Sequence, residues 1–182
     1  ITFETLTLAG NIPVVAVAAL ASADLDVDGH LDLISAHANQ RYLSISLGSG
    51  DGSLLAPINY NTSTPVNASD PNNMAIADFN GDRLADVVAS NSNDFLLHPD
   101  NIGILYGNGA GALLGLKNYS CGSGSRPFDV TSADFNNDDA PDIAVANFDT
   151  DNIKVLINDG DGTFDDVGYT YNVDDNAGVN LE

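Results

Sequence analysis

The chain carries one nine-residue pattern, D-x-[DN]-x-D-x-x-x-D, three times: DLDVDGHLD at 24–32, DFNGDRLAD at 78–86 and DFNNDDAPD at 134–142. The copies begin 54 and 56 residues apart, and an alanine stands immediately before each of them. Similarity at a nearly fixed period is the sequence signature of a repeat architecture. The pattern therefore divides the chain into three repeats of one structural unit.

The stretches between the acidic loops predict about four short strands per repeat. They are apolar and β-branched, turn residues bound them, and none shows an apolar stripe of helical period. Glycine pairs at 50–52, 109–111 and 160–162 permit the positive φ that tight hairpin turns require. The outermost strand of each repeat is predicted at 53–60, 113–119 and 164–173. Four short strands per repeat are typical of the blades of a β-propeller, so the fold class predicted is all-β.

The 182 residues are predicted to form one domain of three blades. Blade 1 covers about 14–60, blade 2 about 72–119 and blade 3 about 127–173, with one additional N-terminal strand at 2–8. Closed propellers contain about four to eight blades. The sequence thus leaves two alternatives open: a dimer that closes a ring of six blades, or a fragment of a larger propeller.

The charge of the chain excludes several classes of partner. Lys and Arg number 5 and the acidic residues 26, giving a net charge of −21, and all acids except Glu4 and Glu182 are aspartate. Nucleic acids and anionic membrane surfaces are unfavourable partners for such a chain. No apolar run approaches the roughly 18 residues of a membrane span, so membrane insertion is not expected. Cys121 is the single cysteine, which excludes an intrachain disulfide framework.

The acidic loops are predicted to bind three calcium ions. Oxygen ligands at positions 1, 3, 5 and 9 and a backbone carbonyl at position 7 supply the six to eight oxygens that calcium prefers. An EF-hand is excluded, because its bidentate glutamate at position 12 is replaced by Ser35, Ala89 and Val145. The predicted ligands are Asp24, Asp26, Asp28, His30 (carbonyl) and Asp32; Asp78, Asn80, Asp82, Leu84 (carbonyl) and Asp86; Asp134, Asn136, Asp138, Ala140 (carbonyl) and Asp142.

These loops, followed by Gly-Asp-Gly-Thr-Phe as at 160–164, resemble FG-GAP or VCBS repeats. The resemblance implies integrin-α-like β-propeller blades with calcium in the loop between the first two strands. The Phe-Gly dipeptide and the Gly-Ala-Pro tripeptide of the integrin version are absent, so the VCBS repeat is the closer resemblance. The resemblance also implies an extracellular or cell-surface protein used in adhesion, in glycan or protein binding, or as an appendage to secreted enzymes.

No catalytic motif stands out, and the chain is predicted to be a non-enzymatic binding module. No nucleophile elbow or phosphate-binding loop occurs. The alternatives are a structural scaffold in a larger secreted protein and an enzyme acting on polysaccharide. The second repeat is longer between its acidic loop and its glycine pair, with the additional residues around Phe95–Asp100. Because loops on a rigid scaffold often carry function, that insertion is a candidate ligand surface.

Overall fold

The computed structural model describes residues 16–38, 40–62, 70–92, 100–165 and 168–173, which form twelve β-strands and no helix. The predicted all-β class is therefore confirmed for this part of the chain. None of the described residues forms a helix of the length and apolar character needed to cross a membrane. The predicted N-terminal strand at 2–8 and the insertion at 95–99 lie outside the described residues.

The strands form three antiparallel sheets of four consecutive strands each, as the repeat predicts. Within each sheet the strands lie side by side in chain order, so every connection joins neighbours. The first sheet contains β1 (Ala16–Ala23), β2 (Asp32–Ala38), β3 (Tyr42–Ser46) and β4 (Ile58–Asn61). The second contains β5 (Asp70–Ala77), β6 (Asp86–Ser92), β7 (Asn101–Gly107) and β8 (Leu113–Ser120). The third contains β9 (Pro127–Ala133), β10 (Asp142–Asn147), β11 (Asn152–Leu156) and β12 (Tyr169–Asn172).

The outermost strands of the first and third sheets are shorter than the sequence predicts. Leu54 pairs with Gly48, and Phe164 with Asn158, only as isolated bridges before β4 and β12 begin. In the first sheet Pro57 directly precedes β4, and proline has no N–H to give to a ladder. In the second sheet β8 runs without interruption from Leu113.

The three sheets pack face to face in chain order. We call the face directed toward the next sheet the front face, and the opposite one the back face. Apolar side chains from the front of the first sheet and the back of the second form one core, which includes Ile34, Leu43 and Val87. The front of the second sheet and the back of the third form another, which includes Val88, Ile104 and Ile143. The middle sheet is thus covered on both faces, and β6 is buried along its whole length.

Candidate functional site: the three acidic loops

The acidic loops connect the first two strands of each sheet, at β1–β2, β5–β6 and β9–β10. This is the location that the resemblance implied. Each loop is numbered here from 1 to 9, starting at its first aspartate. All three loops share one pattern of hydrogen bonds, which fixes the positions of the predicted ligands.

The aspartate at position 1 organises the loop backbone. Its two carboxylate oxygens accept the N–H groups of positions 5 and 6. In the first loop Asp24 Oδ1 is 3.1 Å from the nitrogen of Asp28, and Oδ2 is 2.9 Å from that of Gly29. The same two bonds measure 3.0 and 2.7 Å at Asp78, and 3.2 and 3.0 Å at Asp134. The backbone thus curls around the first carboxylate in every copy.

Left-handed residues at positions 4 and 6 produce this curl. Position 4 is Val27, Gly81 or Asn137, with φ of 59°, 77° and 62°, and position 6 is Gly29, Arg83 or Asp139, with φ of 88°, 67° and 68°. Four of the six are not glycine, and a β-branched residue such as Val27 rarely adopts positive φ. The loops therefore hold strained backbone, which persists only where the surroundings impose it.

Positions 3 and 5 differ between the first loop and the other two. In the first loop, oxygens of Asp24, Asp26 and Asp28 lie within 4.8 Å of one another. In the second loop the amide of Asn80 donates to Asp82 Oδ2 at 3.0 Å. The corresponding bond in the third loop, from Asn136 to Asp138, is 2.7 Å. The first loop thus gathers three carboxylates, whereas in the other two a neutral asparagine replaces one of them and donates a hydrogen bond to another.

The pKa values reflect this crowding. Partial desolvation and the neighbouring carboxylates, Asp28 first among them, raise the pKa of Asp26. At Asp134 desolvation acts to raise the pKa, but the N–H groups of positions 3 to 6 together lower it. The first loop therefore holds mutually repelling carboxylates, while the backbone N–H groups around Asp134 in the third loop favour its ionised form.

Position 7 is occupied by His30, Leu84 and Ala140, whose carbonyl oxygens the sequence assigns to the cation. Their N–H groups donate to the carboxylate of position 5, at 2.8, 2.8 and 2.9 Å. After this hydrogen bond the backbone leaves the curled part of the loop and enters the second strand. Ligation by the three carbonyl groups stays a prediction.

The aspartate at position 9 has a structural role that the sequence did not predict. Asp32, Asp86 and Asp142 are at most 1% exposed, and each accepts two backbone N–H groups. One comes from position 2 of the same loop, at 2.8, 2.9 and 2.8 Å. The other comes from the end of the third strand at Gly107, or from two residues beyond that strand at Gly48 and Asn158, at 2.8 Å in every case. Each carboxylate thus ties its loop to the third strand of the same sheet.

Burial raises the pKa of Asp86 to about 6, although the N–H groups of Gly107 and Phe79 act in the opposite direction. Two of the residues that reach the ninth aspartate are glycine for a steric reason. A Cβ on Gly48 would lie 2.3 Å from the carbonyl oxygen of Leu31, and one on Gly107 equally close to that of Ala85. Gly48 and Gly107 lie outside the glycine pairs of the hairpin turns. They are the sequence feature from which the contact with the aspartate at position 9 could have been predicted.

Position 2 links the first and second loops to the next sheet, a second role that sequence reasoning missed. Leu25 and Phe79 are buried in the cores between the sheets, at 3% and 0% exposure. The carbonyl of Leu25 accepts the N–H of Gly111 at 3.1 Å, and that of Phe79 accepts the side-chain amide of Asn158 at 2.8 Å. Alternate residues of these two loops thus serve two purposes: odd positions carry the predicted oxygen ligands, and position 2 packs between sheets.

A cleft of about 230 Å³ separates the second and third loops. Asp78, Gly81, Asp138, Asp139 and Gly160 are among the residues that line it. A molecule in this cleft would contact the second and third loops together.

Comparison with known proteins supports this reading of the loops. Residues 24–89 match the family model of the FG-GAP-like repeat. The matched segment contains the first two acidic loops and extends from the start of the first loop into β6. The resemblance to FG-GAP repeats is thus confirmed for this segment. No curated protein matches the chain.

Proposed function

We propose that the chain is a non-enzymatic, calcium-binding β-blade module that acts in adhesion outside the cell, through a glycan or protein ligand. Calcium binding is the part for which the structure supplies most support. The extracellular location and the ligand class rest on the resemblance to FG-GAP repeats. Calcium would serve as a structural ion that neutralises the loops and holds each of them in one conformation.

The carboxylate cluster of the first loop is the single observation that carries the proposal. Calcium binds oxygen at roughly 2.3–2.6 Å, so two of its ligands are separated by at most about 5 Å. The oxygens of Asp24, Asp26 and Asp28 lie within 4.8 Å of one another, which fits that limit. These three side chains, with the His30 carbonyl and Asp32, would hold the ion.

The second and third loops offer the same positions with one charge fewer. Asn80 and Asn136 each accept an N–H from position 5 at 3.0 Å through Oδ1, and that oxygen has a second lone pair for a cation. Since calcium affinity depends on the number of charged ligands, we expect the first loop to bind most tightly. The predicted order of calcium affinities tests the ligand assignment more stringently than the detection of bound calcium alone.

A histidine–serine cluster on the back of the first sheet does not support an enzymatic role. His37 Nε2 lies 3.0 Å from Ser35 Oγ and 2.9 Å from Ser44 Oγ. A nucleophilic serine requires a histidine that a third group orients through its other ring nitrogen. His37 Nδ1 is buried and has no hydrogen-bond partner among the residues that the structure describes, so no third group orients the ring there. The cluster is better explained as cross-strand polar pairing.

Calcium titration of chelator-treated protein, followed by calorimetry, tests the proposal. We expect three ions per chain, and the loss of one site in each of the variants Asp28→Asn, Asp82→Asn and Asp138→Asn. Asp51→Asn is the matched control, because Asp51 is an exposed aspartate in a glycine turn outside the loops. Absence of binding at millimolar calcium, or equal losses in the control, would refute the proposal.

The adhesion role needs a separate experiment. A glycan array probed with the calcium-loaded chain should give reproducible, chelator-sensitive binding if the ligand is a glycan. Silence on the array together with capture of a cell-surface protein would assign the ligand to the protein class. Product release from polysaccharide substrates would contradict the non-enzymatic part of the proposal.

A further inference from the structure

Asparagine precedes glycine at two places in the chain, at Asn80-Gly81 in the second acidic loop and at Asn108-Gly109 in the hairpin before β8. Such an asparagine can lose its amide group, because the backbone nitrogen of the next residue can attack the side-chain carbonyl carbon. Glycine favours this attack, since it has no Cβ to obstruct the five-membered ring that forms. The two pairs differ in what surrounds them.

The attacking nitrogen of the first pair is held on a carboxylate. Gly81 N donates its hydrogen to Asp78 Oδ1 at 2.8 Å. A proton acceptor already in hydrogen-bond contact is well placed to take that hydrogen during the attack. Gly81 is exposed to solvent, and its φ of 77° is a conformation that costs glycine no steric strain. The nitrogen therefore has a proton acceptor in contact and water nearby.

The side-chain amide of Asn80 is held at both of its polar atoms by one residue. Oδ1 accepts the N–H of Asp82 at 3.0 Å, and Nδ2 donates to Asp82 Oδ2, also at 3.0 Å. The first bond folds the side chain back along the backbone that contains Gly81 N. The same N–H would stabilise the negative charge that develops on Oδ1 during the attack. Asp82 thus orients both the carbonyl group and the nitrogen that departs.

The third loop repeats this geometry without the glycine. Asn137 N donates to Asp134 Oδ1 at 2.6 Å. Asn136 accepts the N–H of Asp138 at 3.0 Å through Oδ1, and its Nδ2 donates to Asp138 at 2.7 Å. The attacking nitrogen would belong to Asn137, whose Cβ crowds the ring that has to form. The third loop is therefore an internal control for the contribution of the glycine.

The hairpin at Asn108 repeats the glycine without the carboxylates. Asn108 Oδ1 accepts the N–H groups of Ala110 and Ala112 at 2.9 and 3.1 Å. Residues 108–112 include no acid, so this turn supplies no carboxylate to the nitrogen of Gly109. The hairpin is therefore an internal control for the contribution of the acidic loop.

We propose that Asn80 is a site of spontaneous deamidation, at which the second acidic loop converts its own position 3 into an acidic residue. Gly81 N forms a bond to Asn80 Cγ, and the bond from Cγ to Nδ2 breaks. The hydrogen of Gly81 N passes through the carboxylate of Asp78 to the departing group, which leaves as ammonia. Water then opens the cyclic imide at either carbonyl and gives aspartate or isoaspartate. The reaction consumes water and needs no cofactor, oxidant or reductant.

The reaction changes the charge of the second loop. The aspartate product adds one carboxylate and gives this loop the same acids as the first at positions 1, 3, 5 and 9. The isoaspartate product lengthens the backbone by one carbon and so displaces the N–H groups that Asp78 accepts. The effect of either product on calcium affinity rests on the proposed function, whereas the reaction itself does not.

Incubation of the whole chain in chelator at neutral pH, followed by peptide mapping with mass spectrometry, tests the proposal. Each event replaces NH2 by OH, and the gain in mass identifies the asparagine that reacted. We expect Asn80 to react severalfold faster than Asn108 and Asn136. An unreacted Asn80, or equal rates at Asn80 and Asn108, would overturn the proposal. Since calcium is absent, a failure of calcium binding would leave this result unchanged, and the two failures can be told apart.

Unfolding in urea removes the geometry of the loop and keeps its sequence. We expect the rates at Asn80 and Asn108 to become similar there, because both asparagines precede glycine. A difference between the two rates that is the same in urea as in the folded chain would assign it to the neighbouring sequence, and would overturn the contribution of the fold.

Exchange of the residue at position 4 supplies a reciprocal test. Gly81→Asn gives the second loop the Asn-Asn pair of the third and should slow the reaction at Asn80 severalfold. Asn137→Gly should raise the rate at Asn136 to about that of Asn80 in the parent chain. The second variant decides the matter even if the first fails to fold, because glycine readily adopts the φ of 62° at position 137. An Asn136 that stays unreacted in Asn137→Gly would overturn the proposal.

Discussion

The first repeat and the other two reach the same loop geometry with different chemistry. The first loop brings three carboxylates together, whereas the second and third place an asparagine amide between two carboxylates. The bonds to the first aspartate and the left-handed residues at positions 4 and 6 are nevertheless shared by all three. At the far end of the second strand, the first repeat has His37 where the others have Asn91 and Asn147.

This comparison separates the parts of a loop that set its shape from those that set its charge. Positions 1 and 9 accept backbone N–H groups and determine the shape. Position 3 changes the number of charges without changing the curl of the backbone. Substitutions at position 9 should therefore have similar effects in every repeat, and substitutions at position 3 should not.

The largest effect is expected at position 9. Asp32→Ala and Asp86→Ala each leave two backbone N–H groups without an acceptor, which costs about 2–6 kcal/mol of the free energy of unfolding. Urea denaturation in chelator should show this loss in both variants. The corresponding Asn variants, which keep one acceptor oxygen, should lose less. A loss seen only in the presence of calcium would show that this aspartate acts through the ion alone.

Calcium itself should have the next largest effect. If the three loops bind with dissociation constants of about 0.1–1 mM, 1 mM free calcium stabilises the folded chain by about 1–4 kcal/mol in total. For a chain of this length the melting midpoint should rise by roughly 3–15 °C. Scanning calorimetry with chelator, calcium or magnesium measures the shift. An equal rise with magnesium would contradict a site built for calcium.

Exchange of aspartate and asparagine at position 3 between the first and second loops should also exchange their calcium affinities and their stabilities without calcium. Asp26→Asn should weaken calcium binding at the first loop roughly three- to tenfold, because a charged ligand is lost. The same variant should melt at a higher temperature in chelator, since the repulsion that helps to raise the pKa of Asp26 disappears. Asn80→Asp should change both quantities in the opposite direction, and unchanged affinity in both variants would exclude position 3 as a ligand.

The smallest effect concerns His37. Burial lowers the pKa of its imidazole, so the folded state favours the neutral ring. This contribution to stability is complete above the ordinary pKa of 6.5 and is lost as pH falls from there toward the folded-state pKa. We expect this contribution to be small, because the ring is only partly buried.

His37→Asn, which restores the residue of the other repeats, should reduce the fall in the melting midpoint between pH 7 and 5. The titration of Asp86, whose pKa is about 6, should remain in this variant. His30→Asn is the matched control, because His30 is exposed. If the pH dependence persists in His37→Asn and disappears in His30→Asn, its source is His30, and the prediction for His37 is wrong.

Much of the fold follows from the sequence because the repeat supplies three independent copies of each signal. The acidic pattern places a loop before the second strand, and the glycine pairs place the hairpin before the fourth. The boundaries of β4 and β12 were less predictable. Apolar residues such as Leu54 and Phe164 continue the strand pattern, yet they form only isolated bridges.

The double role of position 9 was not predictable from the pattern, because an aspartate at the end of an acidic loop suggests a ligand first. Its burial depends on Gly48, Gly107 and Asn158, which approach only after the third strand folds back. The polar character of the back face of the first sheet was also not predictable from the sequence. Serines 35, 44 and 46 alternate with apolar residues, and alternation alone does not say which face a neighbouring sheet covers.

The carbonyl contacts of Leu25 and Phe79 have a mechanical consequence. Each of these residues lies between two of the proposed ion ligands in its own loop and contacts the adjoining sheet. If the loops bind calcium as proposed, loss of the ion would therefore weaken the contact between two sheets rather than a single sheet. Under tension across the packed sheets, bound calcium would determine how rigidly each sheet is held against the next. Removal of the ion would then make both interfaces between the sheets less rigid.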